Sequence, residues 1–374
     1  AKIAFASLVV NVPSAIAVCD VARTEVSEIR ADQWQGFWLG QSIATWTGMI
    51  TEMDKIGGEG KHGRFYTRED WGGPDQPAIW SETPSDISSH IDFVLKGPEE
   101  VWGADDDTDI EYMYLWTMYQ NQTPKLTPSQ ISSAWIRHIY DESKPTPYGE
   151  DPLGSAWAQE TNSEAQTGTK KDEQVTYENF LWVSNQRAHT LMLEGYLPPA
   201  TGHPSNNPHG DMIDAQLTTE IFGLLAPGNP NLPLDIAFLP IRTVGHGDAI
   251  PVSEFYVVMH SLAALEARGE ISSERIRTIA AIARQRLPDG STSAAIFDFV
   301  KQQHAAGMSW EQTRDAIYRR YQVEQQDGYD VTSRDLYCNG CFAAGINFAA
   351  SLVSLFYGEG DFKETLKIAV LAGW

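Results

Sequence analysis

Apolar residues recur at helical spacing over much of the chain. The stretch from Gly36 to Met53 is uncharged up to Glu52, and it predicts a helix that ends beside this carboxylate. Two further helix starts carry capping boxes, in which a hydroxyl residue is followed three positions later by glutamine. These boxes are Thr127-Pro128-Ser129-Gln130, which leads into Ile131, Trp135 and Ile139, and Ser309-Trp310-Glu311-Gln312.

The second half of the chain continues the helical pattern. Ser253 precedes apolar residues at helical spacing, and Gly269 would end that helix. The run from Phe342 to Tyr357 is almost wholly apolar, so we expect a buried helix that ends at Gly358. Strand signals are scarce, with Ala237-Phe238-Leu239 as a brief candidate. We therefore predict an all-α protein, folded as a compact single-domain helical bundle.

Four loop regions interrupt the predicted helices. The stretch from Lys55 to Gln76 contains six glycines, and ordered loops of this length are often functional. The polar stretch from Ala158 to Gln174 predicts a mobile surface excursion. Four prolines lie between Pro198 and Asp211 beside two Asn and two His, and Val244 to Asp248 repeats Gly, His and Asp just before a helix. This recurrence favours a polar pocket, although each His alone is more often structural.

The length and the charge of the chain limit the classes of protein to which it can belong. The chain has 374 residues and 42% hydrophobic content, which supports a sizeable core. Its net charge of −23 repels phosphates and therefore excludes a nucleic-acid duplex as a partner. No apolar run reaches the roughly 18 residues that a membrane span requires, so we expect no membrane span.

The N-terminal end has two interpretations. We predict that residues 1–32 form a segment ahead of a main domain at residues 33–374. The first 17 residues resemble a secretion signal, but Asn11 and Pro13 interrupt the apolar run. A mature segment that packs on the core is the alternative, and the location of the protein stays open between the cytoplasm and export.

Three cysteines are too few for a disulfide framework. Cys338 and Cys341 lack the second pair that a structural zinc site would need. They could form a local disulfide or a redox pair, but we favour two small residues packed at a helix start.

One acidic run carries the strongest chemical signal. Residues 104–109 hold four carboxylates and a hydroxyl, and they cannot share a helix face because successive helical side chains diverge by roughly 100°. The run therefore predicts a loop that enters a helix, where unpaired N–H groups and the helix dipole stabilise negative charge. An all-oxygen cluster suits Mg²⁺, Ca²⁺ or Mn²⁺ better than zinc. A solvated acidic first turn is the alternative.

The order of these motifs resembles the ADP-ribosylglycohydrolase family. A small-residue helix ends in Thr-Gly-x-x-x-Glu, and the Asp-Asp-Thr run, a Gly/Asn loop and a His-Gly-Asp loop follow it. The resemblance covers about residues 33 to 374. Its most specific parts are Asp105 to Thr108, Ile213 to Gln216, Phe222 to Gly228, Asn347, Gly360 to Phe362, and Ala372 to Trp374.

This resemblance implies an all-α fold with two divalent cations, Mg²⁺ or Mn²⁺, in a central cleft. The matching metal ligands are Asp105, Asp106, Asp107 and Glu52, with Asp105 in a place where many members have Thr or Ser. Glu52 and Asp107 are the implied catalytic residues. The implied substrate-binding residues are Asn207, His209, Gly210, Asp211, Met212, His246, Gly247 and Asp248.

The sequence departs from the family pattern in two places. The family's Gly-x-Asp-x-Asp motif, which supplies the other metal carboxylates, would follow Trp374, so we expect a domain truncated at its C-terminal end. Such a truncated chain should bind metal weakly and turn over little or no substrate. The insert from Lys55 to Gln76 and the acidic Asp105 leave the substrate open.

We therefore expect a metal-dependent glycosidase that cleaves the ribose C1″ bond between an ADP-ribosyl group and its acceptor. The expected partner is an ADP-ribosylated protein or a small ADP-ribosyl or glycosyl substrate. One alternative is hydrolysis of another, nucleoside-like glycoside. The other is a catalytically silent binding or structural member, as lens crystallins of the family illustrate.

Overall fold

The protein folds as a set of packed helices. A computed structural model describes residues 20–103, 105–138, 181, 183–266, 271–331 and 338–373. Its α-helices are α1 (Asp20–Thr51), α2 (Asp106–Asn121), α3 (Pro128–His138), α4 (Val183–Leu193), α5 (Asp214–Leu217), α6 (Asn231–Val244), α7 (Ala249–Ala263), α8 (Ser273–Ala283), α9 (Thr292–Ala305), α10 (Trp310–Ile317), α11 (Ala344–Tyr357) and α12 (Phe362–Ala372). These residues form no strand, so the all-α prediction is confirmed.

One hydrophobic core surrounds α11. This helix begins at Ala344, two residues later than predicted, and Gly358 caps its C-terminal end. Phe348 is fully buried and packs its ring edge-to-face against Phe255 of α7. Helices α8, α9, α10 and α12 contribute further residues to the same core. The prediction of a buried apolar helix in this region is therefore confirmed.

A second core lies around α2, and two helices connect it with the first. Buried residues of α2, α3, α4 and α6 form this second core. Helix α7 supplies Phe255 to the first core and Val257 to the second. Helix α1 packs Trp34 and Phe37 against the second core and places Ile50, near its C-terminal end, in the first. The end of α1 therefore lies where the two cores meet.

Helix starts agree with the sequence prediction in two places and differ in a third. The boxes at Thr127 and Ser309 form as predicted, with reciprocal hydrogen bonds to Gln130 and Gln312. Ser253, however, lies inside α7, which begins at Ala249 after Asp248. Its hydroxyl donates to the carbonyl of Ala249 (2.7 Å), a bond that serine makes inside helices.

Three other local predictions need correction. The strand candidate Ala237-Phe238-Leu239 lies within α6. Cys338 and Cys341 form a disulfide rather than a packed pair of thiols. The helix predicted from Gly36 to Met53 begins earlier, at Asp20, and ends at Thr51.

The insert from Lys55 to Gln76 is anchored to the protein core. The Tyr66 hydroxyl donates to the buried carboxylate of Asp54 (2.7 Å), and the Lys55 ammonium donates to Gln76 Oε1 (2.7 Å). Arg314 of α10 is buried and donates to the backbone carbonyl of Tyr66. The insert is therefore an ordered part of the structure beside the end of α1.

None of the helices in the described part of the chain combines the length and the apolar content that a membrane crossing requires. The predictions for residues 1–17, for Ile139, for Ala158 to Gln174 and for Gly269 lie outside the described residues.

Candidate active site

The acidic run opens helix α2, as predicted. Asp105 is the N-cap residue, and its carboxylate accepts a hydrogen bond from the backbone N–H of Thr108 (2.9 Å). Asp106 and Asp107 occupy the first turn, where the positive end of the helix dipole stabilises their charge. Both are half-buried, so they remain accessible from one side.

Helix α1 fixes the chain that leads into this turn. The indole N–H of Trp46 donates to the carbonyl of Gly103 (3.1 Å). A β-carbon on Gly103 would lie 2.9 Å from the Trp46 ring, so glycine permits this close approach. One turn earlier, the Gln41 amide donates to Glu111 of α2 (2.8 Å). Two contacts along α1 therefore set the position of the acidic turn.

Glu52 follows directly after α1. The Thr51 hydroxyl donates a hydrogen bond to the carbonyl of Val370 in α12 (2.7 Å), and the amide of Ile79 donates one to the carbonyl of Met53 (3.1 Å). Desolvation by the surrounding protein and, second, the charge of Asp105 raise the pKa of Glu52. The side chain is nevertheless exposed to solvent, which moderates the desolvation. The structure thus brings Glu52 within electrostatic range of Asp105.

Three acidic residues without a sequence-based role join this group. Asp214 at the start of α5 repels Asp106 and Asp107, and Glu220 repels Asp107. Glu111 is fully buried and accepts a bond from the amide of Ile221 (3.2 Å). Asp214 lies in a segment that carries the family resemblance, and this is the one sequence signal that could have singled it out.

Crowding of these carboxylates changes their acidity. Desolvation and the charges of Asp105 and Asp214 raise the pKa of Asp106 well above its usual range. Desolvation and the charges of Asp106 and Asp105 do the same for Asp107. Because each group is protonated more readily beside the others, a bound cation would relieve a large repulsion.

The donor set suits a hard cation, but the side chains are not gathered into a complete metal site. Among the described residues, no three Asp, Glu, His or Cys side chains lie together in a way that would hold a metal ion. The carboxylate oxygens of Asp105, Asp106, Asp107 and Glu52 are the ligand type that Mg²⁺ and Mn²⁺ prefer. The assignment of these residues as ligands therefore stays a prediction.

The two loops that carry the predicted substrate-binding residues, 207–212 and 246–248, are joined by hydrogen bonds. The amide of His246 donates to the carbonyl of Gly210 (2.7 Å), and its ring Nε2 lies 3.1 Å from the carbonyl oxygen of Asn207. Asn207 is fully buried, and its side chain donates to the carbonyl of Ser184 (2.9 Å). The structure therefore assigns His246 and Asn207 structural contacts that hold the two loops together.

The rest of the Asn207 loop leads to the acidic group. Desolvation raises the pKa of Asp214, while hydrogen bonds from Ser184 and Asn185 and, to a smaller extent, the nearby His209 lower it. The carbonyl of Asp211 accepts from the amide of Ala344 (2.9 Å), and Met212 forms an isolated antiparallel bridge with Ala343. These contacts connect the loop to the start of α11.

The end of the second loop faces a different helix. Gly247 is exposed and has a positive φ of 57°, which glycine adopts without strain. The Asp248 carboxylate accepts from the amide of Ser293 in the first turn of α9 (2.9 Å). Asp248 therefore stabilises the start of α9 in this structure, and its predicted role in substrate binding stays untested.

We expect Gly210→Ala to destabilise the joined loops. A β-carbon at Gly210 would lie 2.5 Å from the Val244 carbonyl oxygen and 2.6 Å from the His246 ring. Overpacking of this kind costs about 1–3 kcal/mol of unfolding free energy, which urea denaturation would measure. Gly48→Ala is the matched control, because nothing lies within 4 Å of its new β-carbon. Equal stability of the two variants would show that the loops accommodate the added β-carbon without a cost in stability.

A separate cavity of about 300 Å³ lies between α2 and α3. Met113, Trp116 and Asn121 of α2 contribute to its lining, together with His138 of α3. With a helical rise of 1.5 Å per residue, it lies roughly 10 Å or more along α2 from Asp106. This cavity is therefore distinct from the carboxylate group.

Comparison with known families adds a single finding. A family model described as ADP-ribosylglycohydrolase matches residues 27–374, which is nearly the whole chain. No curated protein and no solved structure matches the chain.

Proposed function

We propose a function from one established premise: the chain belongs to the ADP-ribosylglycohydrolase family. This family hydrolyses glycosidic bonds, acts on ADP-ribosylated substrates and is generally dependent on divalent metals. The proposed reaction is hydrolysis of the ribose C1″ bond between an ADP-ribosyl group and its acceptor. The acceptor is a modified protein or a small molecule.

The observation that carries this proposal is the carboxylate group at the start of α2. Asp105, Asp106 and Asp107 interact through their charges, and Glu52 adds a fourth carboxylate from the end of α1. Among the described residues, no lysine or arginine charge offsets the repulsion within this group. The group suits a reaction in which positive charge develops on the sugar ring.

Two divalent cations, Mg²⁺ or Mn²⁺, are part of the proposal, and Asp105, Asp106, Asp107 and Glu52 would hold them. When bound, such ions lower the pKa of a coordinated water and orient the ribose hydroxyls. Oxygen donors of these four residues fit the chemistry of hard cations, and neutralisation of their repulsion would favour binding.

Glu52 and Asp107 are the proposed catalytic residues. Glu52 is exposed to solvent and has a raised pKa, so it can carry a proton at a pH where an ordinary glutamate cannot. Asp107 lies in the first turn of α2, where a carboxylate would stabilise an oxocarbenium-like transition state. Together they would provide the charge stabilisation and the proton transfer that glycoside hydrolysis needs.

The two joined loops are the proposed substrate-binding rim. The bonds of His246 hold the loops 207–212 and 246–248 together, and His209 lies within electrostatic range of Asp214. Because the first loop is tied to the acidic group, a sugar bound there would lie near Asp106 and Asp107.

A substrate panel tests the proposal. The full-length natural protein would be incubated with ADP-ribosylated arginine and serine peptides and with a simple nucleoside, in Mn²⁺, Mg²⁺ or EDTA. We expect release of free ADP-ribose from at least one peptide with a metal and none in EDTA. Cleavage of the nucleoside alone would favour the alternative glycosidase. Absence of turnover in a folded protein that binds Mn²⁺ would overturn the proposal.

A further inference from the structure

The Cys338–Cys341 disulfide lies beside two parts of the candidate site. Both cysteines are buried, at 3% and 1% exposure, and they pack with Met53 in a small hydrophobic cluster of their own. Neither the proposed reaction nor the two main cores uses this disulfide. Its neighbours, however, are residues adjacent to those proposed for catalysis and binding.

On one side the disulfide contacts the Glu52 turn. The Sγ atom of Cys341 lies 3.7 Å from the Sδ atom of Met53, which directly follows Glu52. Met53 is buried and has a positive φ of 59°, an uncommon backbone conformation for a residue with a side chain. Surrounding contacts must therefore hold this turn in place, and Cys341 provides one of them.

On the other side the disulfide turn binds the first rim loop. The carbonyl of Phe342 accepts from the amide of Ile213 (3.1 Å), and the amide of Ala344 donates to the carbonyl of Asp211 (2.9 Å). The side chain of Asn347 also donates to the carbonyl of Cys341 (2.7 Å). The backbone on both sides of Met212 is thus bonded to Phe342 and Ala344, which lie within three residues of Cys341.

The same turn is anchored to the π-helix Tyr318–Val323 at its other end. The buried amide of Gln322 donates to the carbonyl of Cys338 (3.1 Å), and the Tyr329 hydroxyl donates to the carbonyl of Gly340 (3.2 Å). These bonds fix the Cys338 end of the turn. A structural change at the disulfide would therefore displace residues on the other side, near Met53 and Ile213.

We propose that the Cys338–Cys341 disulfide is a positioning element that fixes the Glu52 turn relative to the Asp211–Ile213 segment. This inference rests on the proposed function of those two segments. Reduction by a dithiol would transfer two electrons and two protons, giving two cysteine thiols and the oxidised dithiol. Two thiol sulfurs cannot stay at bonding distance, so they separate to van der Waals contact and displace Met53.

The test compares the oxidised full-length protein, the same protein reduced with dithiothreitol, and the variant Cys338→Ser/Cys341→Ser. A thiol count verifies reduction. We expect reduction or substitution to lower kcat about 10-fold or more, because small displacements of a catalytic group cost turnover. KM should change less than kcat. Dithiothreitol should have no effect on the double variant, while Cys19→Ser should respond like the unmodified protein.

A readout independent of turnover accompanies these assays. Hydrogen exchange of the Ile213 and Ala344 amides and of the Met53 turn should be faster after reduction, with the helical circular dichroism unchanged. Unchanged exchange together with unchanged kcat would overturn the positioning role. If no form of the protein releases ADP-ribose, the proposed function fails, and the exchange data still decide whether the disulfide orders these segments.

Discussion

Replacing Asp106 with Asn should abolish the stabilisation of the full-length protein by Mn²⁺ and lower its turnover at least about 100-fold. Asp106 interacts with the charges of Asp105 and Asp214, so it is part of the carboxylate group. A cation that binds there stabilises the folded state according to its concentration over Kd. Asparagine keeps the shape of the side chain but removes the charge that attracts the ion.

Thermal unfolding with and without Mn²⁺ measures the first effect, and release of ADP-ribose measures the second. Asp289→Asn is the control, because it removes one charge from a fully exposed side chain of the same acidic protein. The control should keep the full Mn²⁺-induced rise in Tm. A rise that survives Asp106→Asn undiminished would mean that the ion binds elsewhere on this acidic surface.

Asp109→Asn should stabilise the metal-free protein, increasingly so as the pH rises. Desolvation and the charge of Asp105 raise the pKa of Asp109 to about 8, and the side chain is 8% exposed. Its unfolded-state pKa is near 3.9, so the protonated acid is stable in the fold at low pH, and stability is lost as the pH rises toward 8. Between pH 5 and pH 7 the advantage of Asp109→Asn should grow by about 2–3 kcal/mol.

Urea denaturation in EDTA at several pH values measures this slope. Asp289→Asn is again the control, because it removes a charge from an exposed side chain far along the chain from Asp109. If the stability difference between Asp109→Asn and the unmodified protein stays constant with pH, Asp109 is ionised in the folded protein despite its burial. Addition of Mn²⁺ should flatten the slope of the unmodified protein, since the cation offsets the repulsion from Asp105.

Local sequence patterns predicted those parts of the fold that depend on local interactions. The capping boxes at Thr127 and Ser309 form because their hydrogen bonds join residues three positions apart. Ser253 misled the prediction because a serine hydroxyl can cap a helix or bond the preceding turn within one, and here it bonds Ala249. The helix already begins at Ala249, four residues before Ser253, so this serine cannot be its cap.

Some residues of the candidate site could likewise be predicted from local sequence, whereas others depend on how the helices pack. The start of α2 at Asp105 and Asp106 follows from the acidic run itself. Asp214 and Glu220 join that group only when the helices pack, and each lies in a segment without a recognisable charge motif. Their contribution therefore could not be derived from spacing along the chain.

The cysteine pair illustrates a third case. A separation of three residues is compatible with two thiols or with a disulfide, so spacing leaves both states open. In the structure the two cysteines form a disulfide. It packs beside Met53 in a hydrophobic cluster that no local sequence pattern predicts.

Anomalous X-ray diffraction from crystals of the full-length protein grown with Mn²⁺ would test the metal assignment most directly. We predict an anomalous peak about 2.1–2.2 Å from carboxylate oxygens of Asp106 and Asp107, with Glu52 facing the same ion cluster. A strong Mn²⁺ peak bound by other carboxylates, with Asp106 and Asp107 bonded only to protein or solvent, would contradict the assignment of the active site.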